Sequence, residues 1–200
     1  MPKISRDFIL MLNMGISIIG LLIVLVLTFN PPIVHEDFFW QKPLIGSLFS
    51  LICISGIFAA LFPNQCSHAI HFRKESINLT SRRVHSVSHH PDCEGFSAHV
   101  IHVTNRRFCA ACTGLLLGAI VALVGTVFYF SGGLSVEKVS FPITLIGVAG
   151  IVLGFLQLKF KSFVRLTLNV IFVLGAFLIL VGLDELTKSV FVDLFLIAFI

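Results

Sequence analysis

Four cysteines and seven histidines crowd into the stretch from Cys66 to Cys112, out of five and eight in the whole chain. Thiolates and imidazoles are the usual ligands of zinc, so the clustering points first to a metal. The sharpest element is Cys109-Ala110-Ala111-Cys112. In a CxxC turn the short spacing and successive backbone N–H groups turn both sulfurs toward one cation, and two ligands from elsewhere complete a tetrahedron. Cys93, in His89-His90-Pro91-Asp92-Cys93, is the expected third ligand. The fourth is expected from Cys66, with His90, His89 and His68 as competitors. A sulfur-rich tetrahedron suits zinc best, and iron is the alternative metal.

Other residues of the cluster have plainer readings. His99 and His102 lie on Ser97 to Thr104, a stretch of partial alternation rich in β-branched residues. Asn105 offers a turn before Arg106-Arg107-Phe108, so a short β-hairpin feeding the metal knuckle is predicted, with ordinary strand histidines. His68 and His71, three apart, would share one face of a helical extension. Cys53 sits in an apolar run and is read as packing.

The elements that must position these groups are membrane helices. Mean hydropathy is +1.01, with 56% hydrophobic and only 12% charged residues, against about a quarter charged in a soluble domain. Apolar runs at Phe8 to Phe29, Leu44 to Phe62, Phe108 to Phe130, Phe141 to Leu158 and Leu166 to Leu183 are each long enough to cross a bilayer. The first ends in Asn30-Pro31-Pro32 with no small-residue cleavage site, so it is read as a retained span and not a signal peptide. A sixth segment, Val190 to Ile200, reaches only about 16 Å as a helix, short of the hydrocarbon core. The predicted fold is all-α: a polytopic transmembrane helix bundle of five full spans plus this C-terminal segment, residues 1–200 forming one membrane domain. Residues 63–112 form its metal-stapled loop between the second and third spans.

Lysine and arginine set the orientation. Eleven lie at the N-terminus, in the 63–112 loop and in the fourth connection, against Lys42, Lys138 and Lys188 on the other side. Basic residues resist translocation, so the N-terminus and the Cys/His loop are expected in the cytoplasm of a multi-pass cell-membrane protein. Glu36, Asp37, Glu137, Asp184 and Glu185 fall outside by the same count, and Trp40 stands where an outer interfacial anchor belongs. Gly114 and Gly118, and Gly147, Gly150 and Gly154, are small-residue stripes that let helix backbones approach in lipid. The pairs Arg73-Lys74, Arg82-Arg83 and Arg106-Arg107 suit anionic lipid headgroups. Nucleic acid is not an expected partner; the bilayer, a membrane-protein partner or a second copy of the chain are.

The segment from His90 and Cys93 to Phe108-Cys109-Ala110-Ala111-Cys112-Thr113-Gly114, running into Leu115-Leu116-Leu117-Gly118, resembles the membrane-protein family named domain of unknown function 2085. That family has a histidine and a cysteine near a loop start, then Cys-Ala-x-Cys-Thr-Gly entering a glycine-rich span. The chain departs from it at Glu94-Gly95-Phe96, where the family tends to a proline- and arginine-containing segment. The resemblance implies a multi-span protein with a cysteine motif suited to metal, and no particular activity.

Three functions compete. A structural metal would fold a loop of about 45 residues that has too little apolar core to fold alone, and would serve assembly or partner binding. A membrane thiol oxidoreductase would use the CxxC at a helix N-terminus, as enzymes of the vitamin K epoxide reductase type do, but those work from the oxidising face. A metal-dependent hydrolase or transferase would need an open coordination position and a base such as Asp92 or Glu94, without an HExxH signature to support it. Haem held between two histidines is not expected, because no histidine lies in a span. An ion-coupled transporter is not expected either, because the five spans carry no ionisable carboxylate at depth, leaving only Asp193 on the last segment.

Overall fold

A computed structural model describes residues 6–32, 39–61, 100–103, 106–160 and 162–199. Helix α1 (Arg6–Phe29) stops at Asn30-Pro31-Pro32, because proline lacks an amide donor and disfavours helix in the residue before it. Helix α2 (Gln41–Leu61) carries Pro43, and α4 (Ser140–Phe155) carries Pro142, each in the first turn, where no amide donor is required. Two strands, β1 (Val100–Val103) and β2 (Arg106–Cys109), pair antiparallel with Val100 opposite Cys109 and Val103 opposite Arg106. β2 runs directly into α3 (Ala110–Thr126), so the third apolar run becomes helical only after Cys109.

The end of α3 widens into a π-helical turn at Val127–Ser131, where the Gly132 amide donates to the Val127 carbonyl. Gly133 then adopts φ +66°, a left-handed conformation that suits glycine. After α4 and a 3₁₀ turn at Leu156–Lys159 comes α5 (Ser162–Thr187), followed by the short α6 (Val190–Phe199). Lys188, between the last two helices, has φ 47°, an uncommon conformation for a side-chain-bearing residue.

Five of these helices are long and apolar enough to cross a membrane: Met11–Phe29, Gln41–Leu61, Ala110–Ser131, Glu137–Phe155 and Phe163–Thr187. Helix α6, at 10 residues, is too short to span as a helix. Side chains such as Leu12, Ile19, Leu22, Val26, Leu51, Val121 and Ile146 are exposed along the helix faces, the arrangement expected when the solvent is hydrocarbon. The helices support a multi-pass membrane protein.

The described residues pack as two compact units. One comprises 1–49, 126–150 and 175–200. There, a methyl added at Gly147 would stand 2.8 Å from the Gly175 carbonyl oxygen, and one at Gly46 would meet Phe130 at 2.7 Å. The other comprises 50–125 and 151–174. In it Gly114 and Gly118 of α3 lie against α5, where an added methyl would meet the Leu166 carbonyl oxygen at 2.5 Å and Val173 at 2.9 Å. Backbone approach of this kind is how helices gain contact where lipid removes the hydrophobic drive. Buried hydroxyls bond back to their own helices: Thr144 donates to the Ser140 carbonyl at 2.9 Å and Thr187 to the Leu183 carbonyl at 2.8 Å.

Candidate functional site

The CxxC straddles the junction of β2 and α3. Cys109 closes the strand and Cys112 lies in the first helical turn, with Ala110 fully buried between them. The geometry follows from the local chain: the turn from strand to helix leaves the first backbone amides of α3 without helical partners, and a sulfur just ahead of them can accept. Both thiols are free and half-buried, and they are hydrogen-bonded to each other. The hydrogen bond from Cys112, supported by the backbone amides of Cys112 and Ala111 and by the positive charge of Arg165, brings the Cys109 thiol from its ordinary 9.0 down to about 5, against the opposing effect of burial. The junction thus favours the thiolate form of Cys109. Thr113 completes the turn by donating to the Cys109 carbonyl at 2.9 Å.

Of the other expected ligands, Cys66, His90 and Cys93 lie outside the described residues, as do the competitors His68 and His89. Among the described residues, no group of three or more histidine, cysteine, aspartate or glutamate side chains is placed to hold a metal ion. The donor set present is therefore two sulfurs, one already favouring the thiolate. Two such sulfurs could supply two of the four ligands of a tetrahedral thiolate site. Cys53 is buried in α2, as its reading as a packing residue requires.

A second polar constellation arises where the sequence gives little warning. The sequence expectation puts Asp184 and Glu185 in an external connection; instead α5 continues to Thr187 and buries Asp184 to 2% exposure within the fifth span-length helix. The helix therefore runs one turn beyond the expected span end at Leu183 and carries Asp184 and Glu185 with it. Asp184 is tolerated because it has donors. The Tyr129 hydroxyl donates to its Oδ2 at 2.6 Å, and the Gln41 amide lies 3.4 Å from its Oδ1. The same Gln41 nitrogen donates to Asp193 Oδ2 at 2.9 Å. Tyr129 also stands 3.0 Å from Glu185 Oε2, to which Lys42 Nζ is paired at 3.7 Å. Lys42 further lies over the Tyr129 ring, 4.9 Å from its centroid. The lone carboxylate of α6 was the available signal for this cluster; Gln41 and Tyr129 carried none, since neither sits in a recognisable spacing with it.

Fold and junction together define a multi-pass α-helical protein with a dithiol at the mouth of its third span-length helix. No family model, curated protein or solved structure matches the chain.

Proposed function

We propose that this chain is an integral membrane protein whose 63–112 loop is folded around a zinc-like ion held by Cys93, Cys109, Cys112 and a fourth ligand, Cys66 or His90, and that the folded loop serves assembly or the binding of a membrane partner. The observation that carries this reading is the pair of free, mutually hydrogen-bonded thiols at the β2–α3 junction, one of them favouring the thiolate that a metal requires. Hairpin register adds support. Val100 is paired with Cys109, and Cys93 is seven residues before Val100, so Cys93 is within a chain reach of roughly 23 Å from the CxxC. Four protein ligands leave no position for an activated water, which favours a structural role over turnover. The lysine and arginine distribution favours the cytoplasmic side of the cell membrane for the loop.

Metal analysis of protein purified without chelator or immobilised nickel is the test. One zinc-like ion per chain is expected, lost from Cys109→Ser/Cys112→Ser and kept in Asp92→Asn and Glu94→Gln. A preparation without stoichiometric metal, or a double-serine variant that keeps it, sinks the proposal. A second reading, a thiol oxidoreductase, draws on the depressed Cys109 thiol, since a low-pKa cysteine beside a second one at a helix N-terminus is suited to disulfide exchange. Metal-free protein that cycles reversibly between dithiol and Cys109–Cys112 disulfide would favour that reading.

A further inference from the structure

The buried acids of the first packing unit pose a problem that the thiol junction does not bear on. Asp193 is 0% exposed, and its Oδ1 has no hydrogen-bond partner among the described residues. An ionised oxygen in that position would lack both water and donors, which strongly disfavours the charge. Asp184 is different: both of its oxygens have donors, Gln41 and Tyr129. Donors also run short around them. The single phenolic hydrogen of Tyr129 faces both Asp184 at 2.6 Å and Glu185 at 3.0 Å, and it can fully serve only one.

Among the described residues, four segments bring polar groups to this cluster. Helix α2 brings Gln41 and Lys42, the π-helical turn brings Tyr129, α5 brings Asp184 and Glu185, and α6 brings Asp193. Lys42 is ion-paired with Glu185, so the remaining two carboxyls share one amide group between them. Two local departures from regular helix accompany the arrangement. The π-helical turn at Val127–Ser131 carries the buried Tyr129, and Lys188 at φ 47° joins the helix of Asp184 to that of Asp193. π turns and uncommon backbone conformations concentrate at functional sites.

We propose that the Asp184–Asp193 pair is a proton-binding site, in which Gln41 and Tyr129 supply the donors to Asp184 and Asp193 takes up and releases one proton at Oδ1. The ligand assigned is a proton, because the feature that calls for one is a buried carboxyl oxygen without a donor. Burial first, and then the negative charge of Asp184, push the Asp193 carboxyl well above the carboxylate range, in keeping with its occupancy near neutral pH. Losing the proton leaves a charged Asp193 beside Asp184, with the shared Gln41 amide at Oδ2 and no donor at Oδ1 among the described residues. Proton occupancy is thereby linked to the seating of α6, which carries Asp193 and packs Phe199 against Gly20 of α1.

The test is infrared difference spectroscopy of the full chain in lipid nanodiscs, with the aspartate carboxyl carbons isotope-labelled. Near neutral pH, where exposed aspartates are ionised, wild type is expected to show the label-shifted C=O stretch of a protonated aspartate, which disappears as pH is raised. Asp193→Asn is expected to lose the band at every pH above the ordinary aspartate range. In Asp184→Asn, removal of the like charge is expected to lower the midpoint by about one unit or more. The proposal is overturned by absence of the band in wild type near neutral pH, by its survival in Asp193→Asn, or by its displacement on adding sodium or potassium at fixed pH. Should Asp193→Asn not fold, the comparison of wild type with Asp184→Asn decides alone, an unchanged midpoint overturning the pairing.

Discussion

The thiol junction and the buried acid cluster solve opposite electrostatic problems. At Cys109 a negative charge is made easier to form: a strand hands over to a helix, unpaired amides point at the sulfur, and a second thiol donates to it within four residues of chain. At Asp193 a negative charge is made harder to form, since the carboxyl is buried, stands near another acid and lacks a donor for one oxygen. The first arrangement is local and half-exposed. The second draws its groups from four segments, with Gln41 and Asp193 separated by 152 positions in sequence. The difference teaches that a polar group is shifted by how many donors its own neighbourhood can supply, and that such donors come either from the adjacent turn or from packing.

The largest effect that can break this comparison is chemical reactivity. In metal-free protein, site-resolved alkylation of Cys109 is expected to follow a pH midpoint near 5, and Cys112→Ala to raise it by several units toward the ordinary thiol value, because the Cys112 hydrogen bond is the leading cause of the shift. At neutral pH that amounts to a loss of thiolate on the order of tenfold or more. Buried Cys53 should remain unmodified until the protein unfolds. The sign for stability follows from the same shift. A thiol with a lower pKa folded than unfolded contributes fully above the unfolded value, and the contribution fades as pH falls toward about 5. Identical midpoints for Cys109 in wild type and Cys112→Ala would remove the local account of the junction.

A smaller effect is expected at the acids. Tyr129→Phe deprives Asp184 Oδ2 of its 2.6 Å donor and should destabilise the protein by about 2 kcal/mol, as for other hydrogen bonds to a charged group. Reversible unfolding in mixed micelles measures it. A change within error would mean that Asp184 does not depend on packing for its donors.

The smallest effects sharpen the comparison by isolating packing from charge. Gly118→Ala, in the unit of the thiols, and Gly147→Ala, in the unit of the acids, each place a methyl 2.8–2.9 Å from atoms of α5 and should cost about 1–2 kcal/mol alike. Gly56→Ala, with nothing within 4 Å, should be neutral or slightly stabilising. Unequal costs at Gly118 and Gly147 would mean that the two regions differ in packing as well as in electrostatics.

What the sequence by itself determined is whatever depends on composition and near neighbours. Five span-length helices follow from the length of uncharged runs, and their ends from proline and glycine, because a bilayer demands internal backbone hydrogen bonding over a fixed thickness. The side-by-side thiols follow from CxxC at a strand-to-helix turn, where two intervening residues bring the sulfurs together locally. Cys66, His90 and Cys93 stand apart from that certainty, since only long-range folding can say whether they meet the CxxC, and they lie outside the described residues. Tertiary structure alone decided that α5 continues past Leu183 and takes Asp184 into the interior. It also decided that Gln41 and Tyr129 are the residues that make this tolerable. A carboxylate reads as a surface residue when only its neighbours in sequence are considered; its burial depends on donors arriving from 55 and 143 positions away, and no local pattern encodes them.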